Sequence, residues 1–117
     1  MVILPGGCPG FINLRESEKV IKMVQDYAQK GKYVAAICGA PTVLSVANLY
    51  GGANIAAHPS VVEELVAAGY DCTGADVEVA GKLITGKGAG LSLPFALTLA
   101  KALVSEDIVA EVEEGLF

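Results

Sequence analysis

Val34-Ala35-Ala36-Ile37-Cys38-Gly39-Ala40-Pro41-Thr42 carries an apolar run into a cysteine and then into a proline-started segment. Val34 to Ile37 reads as a buried strand. Pro41 reads as the start of a helix, because its ring fixes φ and its missing N–H costs nothing in a first helical turn. A side chain at so sharp a strand-to-helix turn stands exposed at the carboxyl end of a sheet, with the N–H groups of the turn aimed at whatever it attacks. Gly39 and Ala40 leave room for the tight backbone and for a substrate. The partial positive charge of the helix start favours thiolate over thiol, which makes Cys38 a candidate nucleophile. The alternative for a cysteine ending a buried strand is an inert core filler.

Around this turn the chain has the size of one domain, residues 1–117, with 53% hydrophobic residues to build a core. Apolar runs such as 96–104 are interrupted well before the roughly 20 residues of a membrane span. The start Met1-Val2-Ile3-Leu4-Pro5 has no basic region followed by a long apolar stretch, so no secretory signal is read and the cytoplasm is expected. The net charge is −5 and the eight basic residues are scattered, which argues against nucleic acid as a partner. Cys8, Cys38 and Cys72 are odd in number and contain no C-x-x-C pair, which fits a reducing compartment. A metal site from these cysteines and His58 would need unrelated spacings, and none is expected.

Strands and helices alternate along the chain. Residues 1–4 read as a strand closed by Pro5-Gly6-Gly7. Val20, Val24 and Tyr27 recur at helical spacing within 16–30, with Gly31 placed to end that helix. A strand is expected over 33–37, the elbow helix over 41–49, and a short strand over 54–57 leading to His58-Pro59. Ser60 and Glu63 have capping-box spacing for a helix that Gly69 would close. Val77-Glu78-Val79, Ala80-Gly81 and 82–85 read as a hairpin. Ser92 is placed to cap a helix through about 104, and Ser105 to open a final acidic one. This is the pattern of an α/β sandwich with a mostly parallel sheet covered on both faces.

Two glycine-rich stretches fail as nucleotide sites. In 81–88, Gly88 stands where a phosphate loop needs Ser or Thr, and in 86–90 the third glycine of a dinucleotide fingerprint is replaced by Leu91. No cofactor is expected. The second stretch can still border a pocket at the carboxyl ends of parallel strands. Gly6 and Gly7, lacking side chains, would let their N–H groups approach an anion beside the elbow and share an oxyanion hole with Gly39. His58, the one histidine, reaches the same sheet edge as a candidate acid/base or as a loop histidine with a satisfied hydrogen bond. Cys8 follows the diglycine turn at an accessible position, and Cys72 reads as a packing or surface thiol.

Together Leu4-Pro5-Gly6-Gly7, Ala35-Ala36-Ile37-Cys38, Ala40-Pro41-Thr42, His58-Pro59 and the stretch 86–95 resemble the ThiJ/PfpI superfamily, on the branch of the Parkinsonism-associated protein deglycase, over essentially the whole chain. The resemblance implies a flavodoxin-like three-layer sandwich, related to glutamine amidotransferase-like folds, usually a homodimer, with Cys38 as the nucleophile. It implies glyoxalase or deglycase chemistry on methylglyoxal-type α-oxoaldehydes and their adducts. Other members are stress-response redox sensors or chaperones, or carry a thiamine-biosynthesis label. Members with peptidase-like dyads have a histidine directly after the cysteine; Gly39 occupies that place, so no peptidase is expected.

The resemblance also implies a strand–helix–strand before residue 1 that carries a glutamate bonded to the cysteine. The fold is therefore expected to be N-terminally incomplete, the C-terminal portion of the family domain. Since the family's first strand is internal, its absence would leave unpaired backbone and an apolar groove, to be filled by that segment in trans or by an exchanged partner.

Overall fold

A computed structural model describes residues 1–116. Strands β1 (Val2–Leu4), β2 (Val34–Ile37), β5 (Val77–Ala80) and β6 (Leu83–Gly86) form a sheet in the order β1-β2-β6-β5. The first three are parallel, with Val2 opposite Val34 and Val34 opposite Leu83, and β5 returns antiparallel on β6. Short strands β3 (Asn54–Ile55) and β4 (Asp71–Cys72) pair parallel in a separate two-stranded sheet. The helices are α1 (Gly10–Glu16), α2 (Glu18–Gln29), α3 (Pro41–Val46), α4 (Pro59–Ala67), α5 (Ser92–Leu103) and α6 (Glu106–Leu116).

Side chains alternate across the strands and so divide the interior in two. Leu4, Val34, Ala36 and Leu83 face Val24 of α2, Val43 and Leu44 of α3 and Val61 and Leu65 of α4. Ala35 and Ile84 point the other way, onto Phe95 and Leu99 of α5. This is the expected three-layer sandwich. β1 lies at one edge of its sheet, and Ile3, directed away from the larger core, stays 51% exposed. Gly31 and Gly69, expected to end helices, adopt positive φ just beyond α2 and α4.

Several local expectations are corrected. The helix read over 16–30 begins after Ser17, whose side chain accepts from the Val20 N–H, and α1 precedes it unforeseen. The elbow helix stops at Val46, because Asn48 and Tyr50 take positive φ. The strand read over 54–57 closes after Ile55. Helix α4 is capped not by Ser60 but by His58, since Pro59 already takes the first helical position. Ser92 lies inside α5, and its hydroxyl donates back to the Ala89 carbonyl of the preceding short turn, 2.7 Å away. Ser105 does accept from the Ile108 N–H at the start of α6.

Candidate active site

Cys38 follows β2 directly and sits at φ 64°, a left-handed value that non-glycine residues seldom adopt and that clusters at functional sites. Its own N–H donates to the Gly86 carbonyl and its carbonyl accepts from the His58 N–H, at 2.9 and 2.8 Å, so the strained residue is held from both sides. On the far side of the turn the buried Thr42 hydroxyl donates to the Gly39 carbonyl at 2.8 Å. The elbow is thus tied to β6, to the loop before α4 and to its own helix.

Close approach explains the glycines around it. A Cβ on Gly6 would lie 2.6 Å from the Cys38 Cβ and 2.8 Å from the Ile37 carbonyl oxygen, with Sγ at 3.4 Å. A Cβ on Gly39 would enter the Phe11 ring at 2.6 Å, because α1 lays that ring over the turn. A Cβ on Gly86 would meet Phe95 at 2.8 Å. The diglycine loop after β1 and the elbow after β2 therefore touch through backbone, as neighbouring parallel strands ending together allow.

The thiol is half-buried and opens onto a cleft of about 380 Å³ lined by Pro5, Gly6, Gly7, Ile37, Cys38, Ala89 and Ser92. Ala89 belongs to the glycine-rich loop that was expected to border a pocket. Among the described residues, no backbone or side-chain acceptor takes the N–H of Gly6, Gly7 or Gly39. The N–H groups of Ala40, Thr42 and Val43, by contrast, are spent on the carbonyls of Ile37, Gly39 and Ala40. The free donors beside the sulfur thus come from the two loops and not from the short helix. A larger depression of about 450 Å³, bordered by Arg15, Ser17, Lys22 and Gln25, lies apart and holds none of these groups.

His58 meets the elbow through its backbone. Its exposed ring turns Nδ1 toward Ser60, accepting from the Ser60 N–H at 3.1 Å and lying 2.7 Å from the hydroxyl. This occupies one ring nitrogen in capping α4 and leaves Nε2 free of such a bond; the ring is not among the groups lining the cleft. Cys8 is exposed on the loop between Gly7 and α1. Cys72 packs against the larger core, and burial, then the neighbouring Asp71 charge, push its thiol pKa up. Among the described residues no three of His, Cys, Asp or Glu gather as a metal site, and no helix is long and apolar enough to cross a membrane.

Sequence reasoning missed three contributors. Phe11 roofs Gly39; Phe95 fills the place opposite Gly86; and the buried Thr85 hydroxyl accepts from the Ala56 N–H at 2.8 Å, pinning the segment that leads to His58. Thr85 alone carried a signal, as a polar residue inside an apolar strand.

The chain is similar to known proteins in sequence and in fold. The Parkinson disease protein 7 homolog of Danio rerio is 34% identical over 117 residues, 99% of this chain and 62% of its own length. The glutathione-independent glyoxalase DJR-1.2 of Caenorhabditis elegans is 30% identical over 103 residues, 88% of this chain and 54% of its own. The crystal structure of Drosophila melanogaster DJ-1beta superposes with a TM-score of 0.94 at 36% identity, covering 98% of this chain and 62% of that one. The chain thus spans under two thirds of the length of these relatives. Residues 1–102 match the model of the DJ-1/PfpI family. An elbow cysteine between a diglycine loop and a His-Pro helix start, on this sheet order and with this match, places the chain in the DJ-1/PfpI family.

Proposed function

We propose that Cys38 is the nucleophile of a glyoxalase- or deglycase-type enzyme acting on methylglyoxal or its adducts. The observation that carries this reading is the strained, half-buried Cys38 thiol facing a cleft lined by Gly6 and Gly7, whose N–H groups, like that of the adjoining Gly39, have no acceptor among the described residues. The thiolate adds to the aldehyde carbon, the C=O π pair moves to oxygen, and glycine N–H groups stabilise the alkoxide until it takes a proton as a hemithioacetal. A base then moves a proton from that carbon to its neighbour, giving a lactoyl thioester that water cleaves to lactate and free thiol.

The base is not among the described residues that line the cleft. We assign it to the glutamate that the family resemblance puts on a strand–helix–strand segment preceding residue 1, supplied in the same chain or in trans. His58 is the secondary candidate, through Nε2. The active form is a homodimer acting in the cytoplasm, where three free cysteines suit a reducing environment.

The test is turnover of methylglyoxal to lactate by the chain joined to such a segment. Activity abolished by Cys38→Ser supports the proposal. Full activity in that variant overturns it. A second reading draws on the same donors: they would equally hold the oxygen of an oxidised sulfur, making Cys38 a redox sensor. Selective peroxide oxidation of Cys38 without turnover favours that reading.

A further inference from the structure

Gly6 touches the Cys38 side chain, and two residues further along the same loop stands a second, exposed thiol, Cys8. We propose that Cys8 is a resolving cysteine, which captures oxidised Cys38 as an intramolecular disulfide and so protects the elbow sulfur from irreversible oxidation. The inference rests on Cys38 being the accessible nucleophile described above and adds a partner for it.

Reach favours this pair. Consecutive Cα atoms are about 3.8 Å apart, so Cys8 Cα lies within about 7.6 Å of the Gly6 Cα that abuts Cys38. A disulfide requires Cα atoms about 4.4–6.8 Å apart, so the loop has to make a turn about Gly7 to bring Cys8 onto the elbow sulfur. The loop has room to make it: Gly7 has φ 90°, and no atom lies within 4 Å of where its Cβ would be. Beyond Cys8 the loop is tethered, since the Phe11 N–H donates to the Gly7 carbonyl at 2.9 Å and the Phe11 ring covers Gly39. Cys8 is therefore kept close to the elbow. Cys72 is in the two-stranded sheet, packed against the larger core.

The oxidant is a hydroperoxide. The Cys38 thiolate attacks one oxygen of hydrogen peroxide; an S–O bond forms, the O–O bond breaks and hydroxide leaves, so that sulfur is oxidised to sulfenic acid as peroxide is reduced. The Cys8 thiolate then attacks Cys38 Sγ. An S–S bond forms, the S–O bond breaks, and the departing hydroxide takes up the proton Cys8 released, leaving as water. A thiol reductant restores both residues.

The test is peroxide titration of the chain, quenched with a thiol-blocking reagent and mapped by mass spectrometry without reduction. Cleavage after glutamate separates the cysteines, since Glu16, Glu18, Glu63, Glu64 and Glu78 flank them. The expected product is a monomer lighter by two hydrogens, with the Cys8 and Cys38 peptides joined and dithiothreitol releasing them. In Cys8→Ser, that product is lost and Cys38 gains two oxygens that dithiothreitol does not remove. Cys38 gaining oxygen while Cys8 stays a free thiol, or Cys8 linking only to a second chain, overturns the resolving role and leaves the nucleophile reading intact. Cys38 remaining a thiol while Cys8 oxidises overturns both.

Discussion

Replacing Gly6 by alanine tests the contact on which the cleft depends. The added methyl would lie 2.6 Å from the Cys38 Cβ and 2.8 Å from the Ile37 carbonyl oxygen, where real Cβ atoms do not go. Neither obstacle is the end of a flexible side chain: one is fixed at the elbow and the other is backbone at the end of β2. Relief must come from moving the diglycine loop off β2. Overpacking of this kind costs about 1–3 kcal/mol, and about 1 kcal/mol lowers the Tm of a domain this size by roughly 3–6 °C. Thermal unfolding followed by circular dichroism, with site-resolved alkylation of Cys38 by iodoacetamide, reads both consequences. Gly6→Ala should melt several degrees lower and change the Cys38 alkylation rate. Gly10→Ala, at the start of α1 with nothing within 4 Å of its Cβ, should match or slightly exceed the parent. A Gly6→Ala chain that melts and alkylates like the parent would refute the packing described for this loop.

The other expectations follow from single contacts. Gly39→Ala should destabilise by a similar amount because its methyl enters the Phe11 ring, and Phe11→Leu in the same chain should recover part of the loss; a double-mutant cycle in urea checks this. Thr85→Val keeps the shape and strands the buried Ala56 N–H, so denaturant unfolding should show a loss of about 1–3 kcal/mol. His58→Ala removes the cap of α4 and should cost about 0.5–2 kcal/mol in the same measurement, with the loss absent if the ring does not cap. Burial raises the pKa values of Tyr50 and Tyr70, and burial followed by Asp71 raises that of Cys72. The folded chain then holds these protons where the unfolded chain has released them. Their contribution is complete below the ordinary thiol and phenol range and falls as pH rises through it, so stability should decline above about pH 9. A flat Tm from pH 8 to about 11 would contradict that sign.

The sequence made the elbow legible because Cys38, Gly39 and Pro41 each answer a local demand of a strand-to-helix turn, and the three parallel strands followed from apolar runs ending in glycine. The diglycine loop could be read beside the elbow because parallel neighbouring strands end at the same side of a sheet. What escaped was set by tertiary contact. Strand β4 is only two residues long, and its pairing with β3 has no periodic signal. Helix α1 is seven residues with Gly10 and Asn13 in it, too short for an apolar stripe to show, yet it delivers Phe11 to Gly39. The capping of α4 was misread by two residues: Ser60 and Glu63 have the right spacing, but Pro59 starts the helix two residues before a Ser60 cap would and hands the cap to His58. The role of His58 in the site was undecidable from spacing, because it turns on which ring nitrogen the Ser60 N–H occupies.

The central claim is that one thiol is presented, unsealed, at a bend among free backbone donors. Its most direct measurement is competitive alkylation of all three cysteines at neutral pH, resolved by peptide mass, with and without methylglyoxal. The claim predicts that Cys38 is labelled well ahead of the half-buried, proton-retaining Cys72, and that methylglyoxal shields Cys38 far more than the exposed Cys8. A Cys38 that stays unlabelled while Cys8 and Cys72 react, or that methylglyoxal leaves unprotected, would contradict it.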